Sequence, residues 1–231
     1  EGVYEAPNGS LLSLRTGGDG VHLVGEGEVV IHASLVIDAG ARVMLENVRL
    51  EPRSGVGVII LDGELLLKDS HLTPYSMGIQ ATDSLVALSN STIADPPRQR
   101  VSKGGPTPIR LVGMSAFFAR DSWISSSASC VHGARLVYLD TCALGSSDRS
   151  ALEGQGRMEV FVERSLLSGG STAISGAGSG VLDGVVLESP GHAVLRVGEG
   201  LHICREHTFG GDEAGELWTK SHPTNCTLEH R

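Results

Sequence analysis

Short runs in which apolar and polar residues alternate fill most of the chain, and polar pairs or glycines interrupt them. Apolar residues at the three-to-four-residue spacing of an amphipathic helix are missing, so the pattern predicts strands. Residues 158–180, MEVFVERSLLSGGSTAISGAGSG, hold a short apolar strand, a charged corner, a second short strand and a glycine-rich run. Leu167 is the last apolar residue of that second strand. Its equivalents are Leu50, Leu72, Ile93, Ile124, Leu144, Leu187 and Phe209, giving spacings of 22, 21, 31, 20, 23, 20 and 22 residues along the series. A period of 20–23 with one insertion predicts a stacked repeat.

Reading back from each anchor gives columns of like residues. Five positions before it stand Leu45, Leu67, Leu88, Ala119, Leu139, Val162, Leu182 and Cys204, an inward-facing set. Three before it stand Asn47, Asp69, Asn90, Asp121, Thr141, Arg164, Gly184 and Glu206, where alternation breaks and a corner is expected. Asn and Asp suit such a corner because they tolerate left-handed backbone. Asp140, one residue earlier, is placed on the solvated side of it. The next column, Val48, Ser70, Ser91, Ser122, Cys142, Ser165, Val185 and His207, is mostly small. A third strand follows each anchor, seen in GIQA (78–81), CVHG (130–133), ALEG (151–154), AISG (173–176) and AVLR (193–196). Three short strands cannot bury their own apolar edges, so the rungs are expected to stack in parallel.

The phrase GVYEAPNGSLLSLRTGGDGVHLVGEGEVVI (2–31) resembles a first coil, and LVALSNSTIAD (85–95) the later coils, of the right-handed parallel β-helix or pectate-lyase-like superfamily. The resemblance spans residues 2–209. It implies an all-β solenoid of eight to nine rungs, assigned to residues 1–209; residues 210–231 read separately as a capping tail, in which DEAGELWTK (212–220) can form a turn of helix with Leu217 and Trp218 facing the last rung. A left-handed β-helix is the alternative, but hexapeptide periodicity is absent. Solenoids need a covered first rung, and no amphipathic helix precedes Gly2, so a cap is expected upstream or from another chain. The resemblance leaves activity open, because this fold carries lyases, hydrolases, epimerases, tailspikes and non-catalytic modules.

Composition agrees with this pattern. Glycine supplies 31 of 231 residues and aromatics only 4%, which calls for an aliphatic core and many tight turns. A formal charge of −9, from 27 acidic and 18 basic residues, argues against nucleic acid as a partner. No apolar run approaches the roughly 18 residues of a membrane-spanning helix. The chain opens at Glu1 without a leader, as expected of a processed protein or a piece of a longer one. Cys130, Cys142, Cys204 and Cys226 form no C-x-x-C pair, and the nine histidines form no H-x-H pair, so neither a metal nor a cofactor is expected. Cys130 and Cys142 fall at or beside core positions. Pairing of Cys204 with Cys226 is possible in an oxidising compartment but not required, and the compartment is left open.

Chemistry is sought on outward positions. On the third strand these are read as Gln80, Arg110, His132, Glu153, Ser175 and Leu195, and the consecutive Arg110, His132 and Glu153 form a candidate acid/base centre for an acidic polysaccharide. The competing reading is an ordinary polar ladder on a wet sheet. Residues 95–108, DPPRQRVSKGGPTP, carry four prolines with Arg98, Arg100 and Lys103, a locally basic loop that suits one wall of a groove or a plain insertion. The remaining column is apolar although alternation points it outward: Met44, Leu66, Ala87, Phe118, Tyr138, Phe161, Val181 and Ile203. Such a stripe predicts a protein partner or neighbouring domain, a covering segment of the same chain, or a platform on which sugars stack. The first choice is therefore a non-catalytic scaffold or interaction module; the alternative is a polysaccharide-active enzyme or carbohydrate-binding solenoid.

Overall fold

The computed structural model describes residues 2–5, 11–14, 20–95, 107–189, 195–204, 208–210 and 218–219. Every strand pair in it is parallel, and among the described residues there is no helix. The chain winds as a right-handed parallel β-helix. Each turn lays one strand on each of three faces. The first face holds Arg42–Glu46, Glu64–Lys68, Leu85–Ser89, Ala116–Arg120 and Leu136–Asp140 before continuing through the C-terminal halves of Ser150–Glu163 and Thr172–Asp183. The second face is a ten-stranded sheet built on the anchors.

The anchors pair in the expected order: Leu50 with Leu72, Leu72 with Ile93, Ile93 with Ile124, Ile124 with Leu144, Leu144 with Leu167, Leu167 with Leu187 and Leu187 with Phe209. Ile31 extends the column upward against Leu50, and Tyr4 pairs with Ile31. Three aliphatic columns fill the interior. Leu45, Leu67, Leu88, Ala119, Leu139, Val162 and Leu182 come from the first face and Val58, Ile79, Ile109, Val131, Leu152, Ile174 and Leu195 from the third, all buried. Full burial of each such side chain stabilises by about 1.5–3 kcal/mol, and like residues stacked in register leave little void.

The corner between first and second faces is a column of left-handed residues. Asn47, Asp69, Asn90, Asp121, Thr141, Arg164 and Gly184 have φ values of 54°, 49°, 46°, 49°, 55°, 47° and 59°. This geometry lets the turn keep its hydrogen bonds to the neighbouring rung. The Asn47, Asp69, Asn90, Asp121, Thr141 and Arg164 amides each donate to the last first-face carbonyl of the next turn, at 2.9–3.1 Å. A second left-handed column, including Gly40, Asp62, Asp83 and Gly113, turns the third face into the first.

The small residues after the first corner do more than fit. The Ser70 hydroxyl accepts from the Val48 amide at 3.2 Å, the Ser91 hydroxyl from the Ser70 amide at 3.1 Å, and the Ser122 hydroxyl from the Ser91 amide at 3.2 Å. Each hydroxyl also donates to a carbonyl two residues back, at 2.7, 2.8 and 2.7 Å. Ser165 repeats this with the Cys142 amide and the Glu163 carbonyl. At the second corner Ser84 and Ser115 form a shorter ladder of the same kind. Backbone groups that the corner would strand inside the solenoid are thereby paired.

Toward the C-terminus the structure departs from the expected register. Leu182 pairs with Ile203 and Asp183 with Cys204, so the last turn holds one residue more between its first strand and its anchor than the repeat assigns. Trp218 and Thr219 form a strand against Arg196 and Val197 on the third face, where a helical turn is expected. The rest of the tail, residues 211–217 and 220–231, lies outside the described residues.

The ladder makes a specific demand on stability. Ser91→Ala leaves the Ser70 amide without its acceptor in a buried position and should cost about 1–3 kcal/mol, although it removes a single oxygen. Urea unfolding of this variant beside Ser54→Ala, at an exposed position, checks the claim; equal midpoints would show that the ladder contributes nothing.

Candidate functional site

Three outward features stand out: the apolar stripe on the first face, the polar column on the third, and a pocket beside the second. The stripe is built as expected through seven turns. Met44 pairs with Leu66, Leu66 with Ala87, Ala87 with Phe118, Phe118 with Tyr138, Tyr138 with Phe161 and Phe161 with Val181. Its flanking neighbours, such as Val43 and Leu45 or Val137 and Leu139, are buried, so the stripe points outward. Its members are half-buried by one another, and Phe161 is 37% exposed. The Phe118 and Tyr138 rings meet at a centroid distance of 6.2 Å, tilted by 34°. At the top of the stripe Val21, His22, Met44, Leu66, Leu85 and Ala87 line a shallow cavity of about 430 Å³. The lower end is corrected by the register: His202, not Ile203, follows Val181.

Charged pairs rim the upper end of the stripe. On one side Arg42 and Glu64 pair at 3.3 Å; on the other Glu46 accepts from Lys68 at 2.7 Å and pairs with His22 at 2.8 Å. The Lys68 and His22 hydrogen bonds hold the Glu46 carboxyl below its ordinary range. Further down, Asp140 is buried, a correction to its placement on a solvated corner. It accepts from Arg164 through Nε at 3.1 Å and through Nη2, from Thr141 at 3.0 Å, and lies 3.5 Å from Arg120. The Arg164 hydrogen bond depresses its pKa most.

The third-face column brings together the three residues selected from sequence. Arg110 pairs with His132 and His132 with Glu153 on consecutive rungs. His132 Nδ1 lies 3.6 Å from Glu153 Oε2, which also accepts from the Ser129 hydroxyl. Leu195 does not belong to this column. It pairs with Ile174 and is buried, while Arg196 takes the position beside Ser175. The basic residues of the 95–108 loop fall outside the described residues.

The pocket beside the second face was not legible in the sequence. It encloses about 590 Å³ and is lined by His32, Arg49, Glu51, His71, Tyr75 and Asp95, among others. Arg49 Nε pairs with Glu51 at 2.5 Å, His32 with Glu51 at 3.4 Å, and His71 Nε2 is 3.0 Å from the Thr73 hydroxyl. Burial and the Arg49 charge lower the His71 pKa, which favours neutral imidazole. Asp95 Oδ2 accepts from the Ser127 amide at 3.0 Å and its hydroxyl at 3.3 Å, whereas Oδ1 is buried with no hydrogen-bond partner among the described residues. Burial therefore raises the Asp95 pKa. The missed signal was outward alternation around the anchors themselves, at Arg49 and Glu51 or His71 and Thr73. The same positions lower down carry Trp123, Ala143, Leu166 and Val186, a second and shorter apolar run. Among the described residues no group of three His, Cys, Asp or Glu side chains is placed to hold a metal ion, and Cys130 and Cys142 are buried free thiols.

Comparison with known proteins adds little to this picture. No protein-family model matches the sequence, and no curated protein matches it. Among solved structures the chain is similar to the crystal structure of pectate lyase Pel9A, with a TM-score of 0.49 and 13% identity, covering 97% of this chain and 71% of that one.

Asp95 gives a pH test with a definite sign. Its folded pKa is raised above the ordinary 3.8, so the unfolded chain releases this proton first and the group's contribution to stability falls as pH rises through that window. Asp95→Asn should therefore unfold at a higher denaturant midpoint than wild type at pH 7, and the gap should close as pH falls below 3.8. A gap independent of pH would contradict the assignment.

Proposed function

We propose that the chain is a non-catalytic interaction module, a rigid solenoid that presents the first-face stripe to a protein partner. The observation that supports this most directly is the continuous outward column from Met44 to Val181, flanked at every turn by buried neighbours. Soluble surfaces rarely leave so long an apolar strip in water. Phe118, Tyr138 and Phe161 would be its anchors, because aromatic side chains contribute most where an interface excludes water. Met44 and Leu66 extend the strip over the shallow cavity at its upper end.

A second reading, an enzyme acting on acidic polysaccharide, rests on the 3.6 Å contact between His132 and Glu153 with Arg110 one rung away. Arg110 would hold a sugar carboxylate while the other two exchange a proton. The contact also has the character of an ion pair on a wet sheet, which is why this reading comes second.

Two measurements separate these readings. Phe118→Ser combined with Phe161→Ser should leave the fold intact by circular dichroism and reduce association with the natural partner at least tenfold, the effect of losing about 1.4 kcal/mol; unchanged association would remove the stripe from the interface. Turnover of polyuronates by the wild-type protein, lost in both His132→Ala and Glu153→Ala, would establish the enzymatic reading instead.

A further inference from the structure

We propose that the stripe pairs with a second copy of the chain, the two solenoids lying parallel about a two-fold axis that runs along the stripe. The inference rests on the interaction reading above and names its partner. An isologous interface must be complementary to itself, and the two rims of the first face meet that condition. One rim carries Arg42, Glu64, Leu85, Ala116, Leu136, Glu159 and Ser179, the other Glu46, Lys68, Ser89, Arg120, Asp140, Glu163 and Asp183, each pair from the same strand.

Rotation about an axis parallel to the solenoid brings the first rim of one copy over the second rim of the other, turn for turn. Arg42 then faces Glu46 of the second copy, and Glu64 faces its Lys68. Within one copy Arg42 already pairs with Glu64 and Lys68 with Glu46, so association adds a second partner across the seam to side chains whose exposures are 70% for Arg42, 23% for Glu46, 45% for Glu64 and 44% for Lys68. Because the axis is two-fold, each contact occurs twice. Lower down, Leu85 and Ala116 meet Ser89 and Arg120 of the second copy, while Asp140, buried against Arg164, leaves the Arg164 side chain opposite Leu136. Glu159 against Glu163 is the one like-charged pair, beside Arg135, which lies 3.8 Å from Glu159, and beside Arg164.

The antiparallel alternative, with its axis across the rung of Phe118, lays each rim on itself. It sets Glu64 against Glu159, Glu46 against Asp183 and Arg120 against Arg120, three repulsive contacts against the single attraction of Lys68 for Glu163. Among arrangements that cover all seven turns of the stripe, charge thus favours the parallel one. The seven turns give a face roughly 30 Å by 13 Å, the size of a weak, reversible contact rather than a permanent one.

Sedimentation velocity tests the pairing. Wild type should dimerise reversibly, with a dissociation constant that rises with salt. Glu64→Lys and Lys68→Glu should each weaken it about tenfold, because each variant places like charges opposite one another twice. An equimolar mixture of the two variants should regain the dimer, since in the mixed pair both contacts again join a lysine to a glutamate. Tighter association of Glu64→Lys alone would indicate the antiparallel arrangement and overturn the proposal. A wild type that stays monomeric at all concentrations also overturns it; if Phe118→Ser with Phe161→Ser then still loses a different partner, the interaction reading survives without self-pairing.

Discussion

Everything in this structure depends on hydrogen bonding between one turn and the next. A rung of three short strands satisfies its backbone only by pairing above and below, so each turn must repeat the path of its neighbour almost atom for atom. The left-handed corner from Asn47 to Gly184 is what makes that repetition possible, since it bends the chain without interrupting the ladder. Thr141 and Arg164 adopt the same conformation without the advantage of glycine or asparagine, which shows that the stack imposes it on whatever residue arrives there.

Because the path repeats, side-chain direction repeats, and the columns were readable from the chain alone. The anchors, and the inward Leu45 and outward Met44 columns as far as Leu182 and Val181, pair as the alternation assigns them. Legibility failed where a single residue was added without changing composition. Ile203 rather than Cys204 follows Leu182, and Arg196 rather than Leu195 follows Ser175, because apolar residues adjoin both positions and the pattern gives no means of choosing. The serine column was seen as small but not as bonded, since the groups it satisfies belong to the backbone of an adjacent turn.

Of the candidate sites, Arg110, His132 and Glu153 were brought together as expected, for the same columnar reason. The burial of Asp140 has no local signature, because Arg164, its principal partner, is 24 residues away and only the third dimension reveals the closure around it. The pocket at His71 and Asp95 was invisible for a related reason: its walls come from different columns and from the turns between strands. A solenoid encodes its columns plainly and its concavities hardly at all.

The 31-residue spacing between Ile93 and Ile124, against 20–23 elsewhere, leaves the anchors on either side paired in register. The unit of tolerated change in such a chain is therefore an excursion at a corner or a complete coil, rather than a few residues within a strand. Duplication of one coil would move every group beyond it along the axis by one graduation of about 4.8 Å, while leaving each local environment as it was. The molecule behaves as a ruler, and its evolution can adjust reach independently of chemistry.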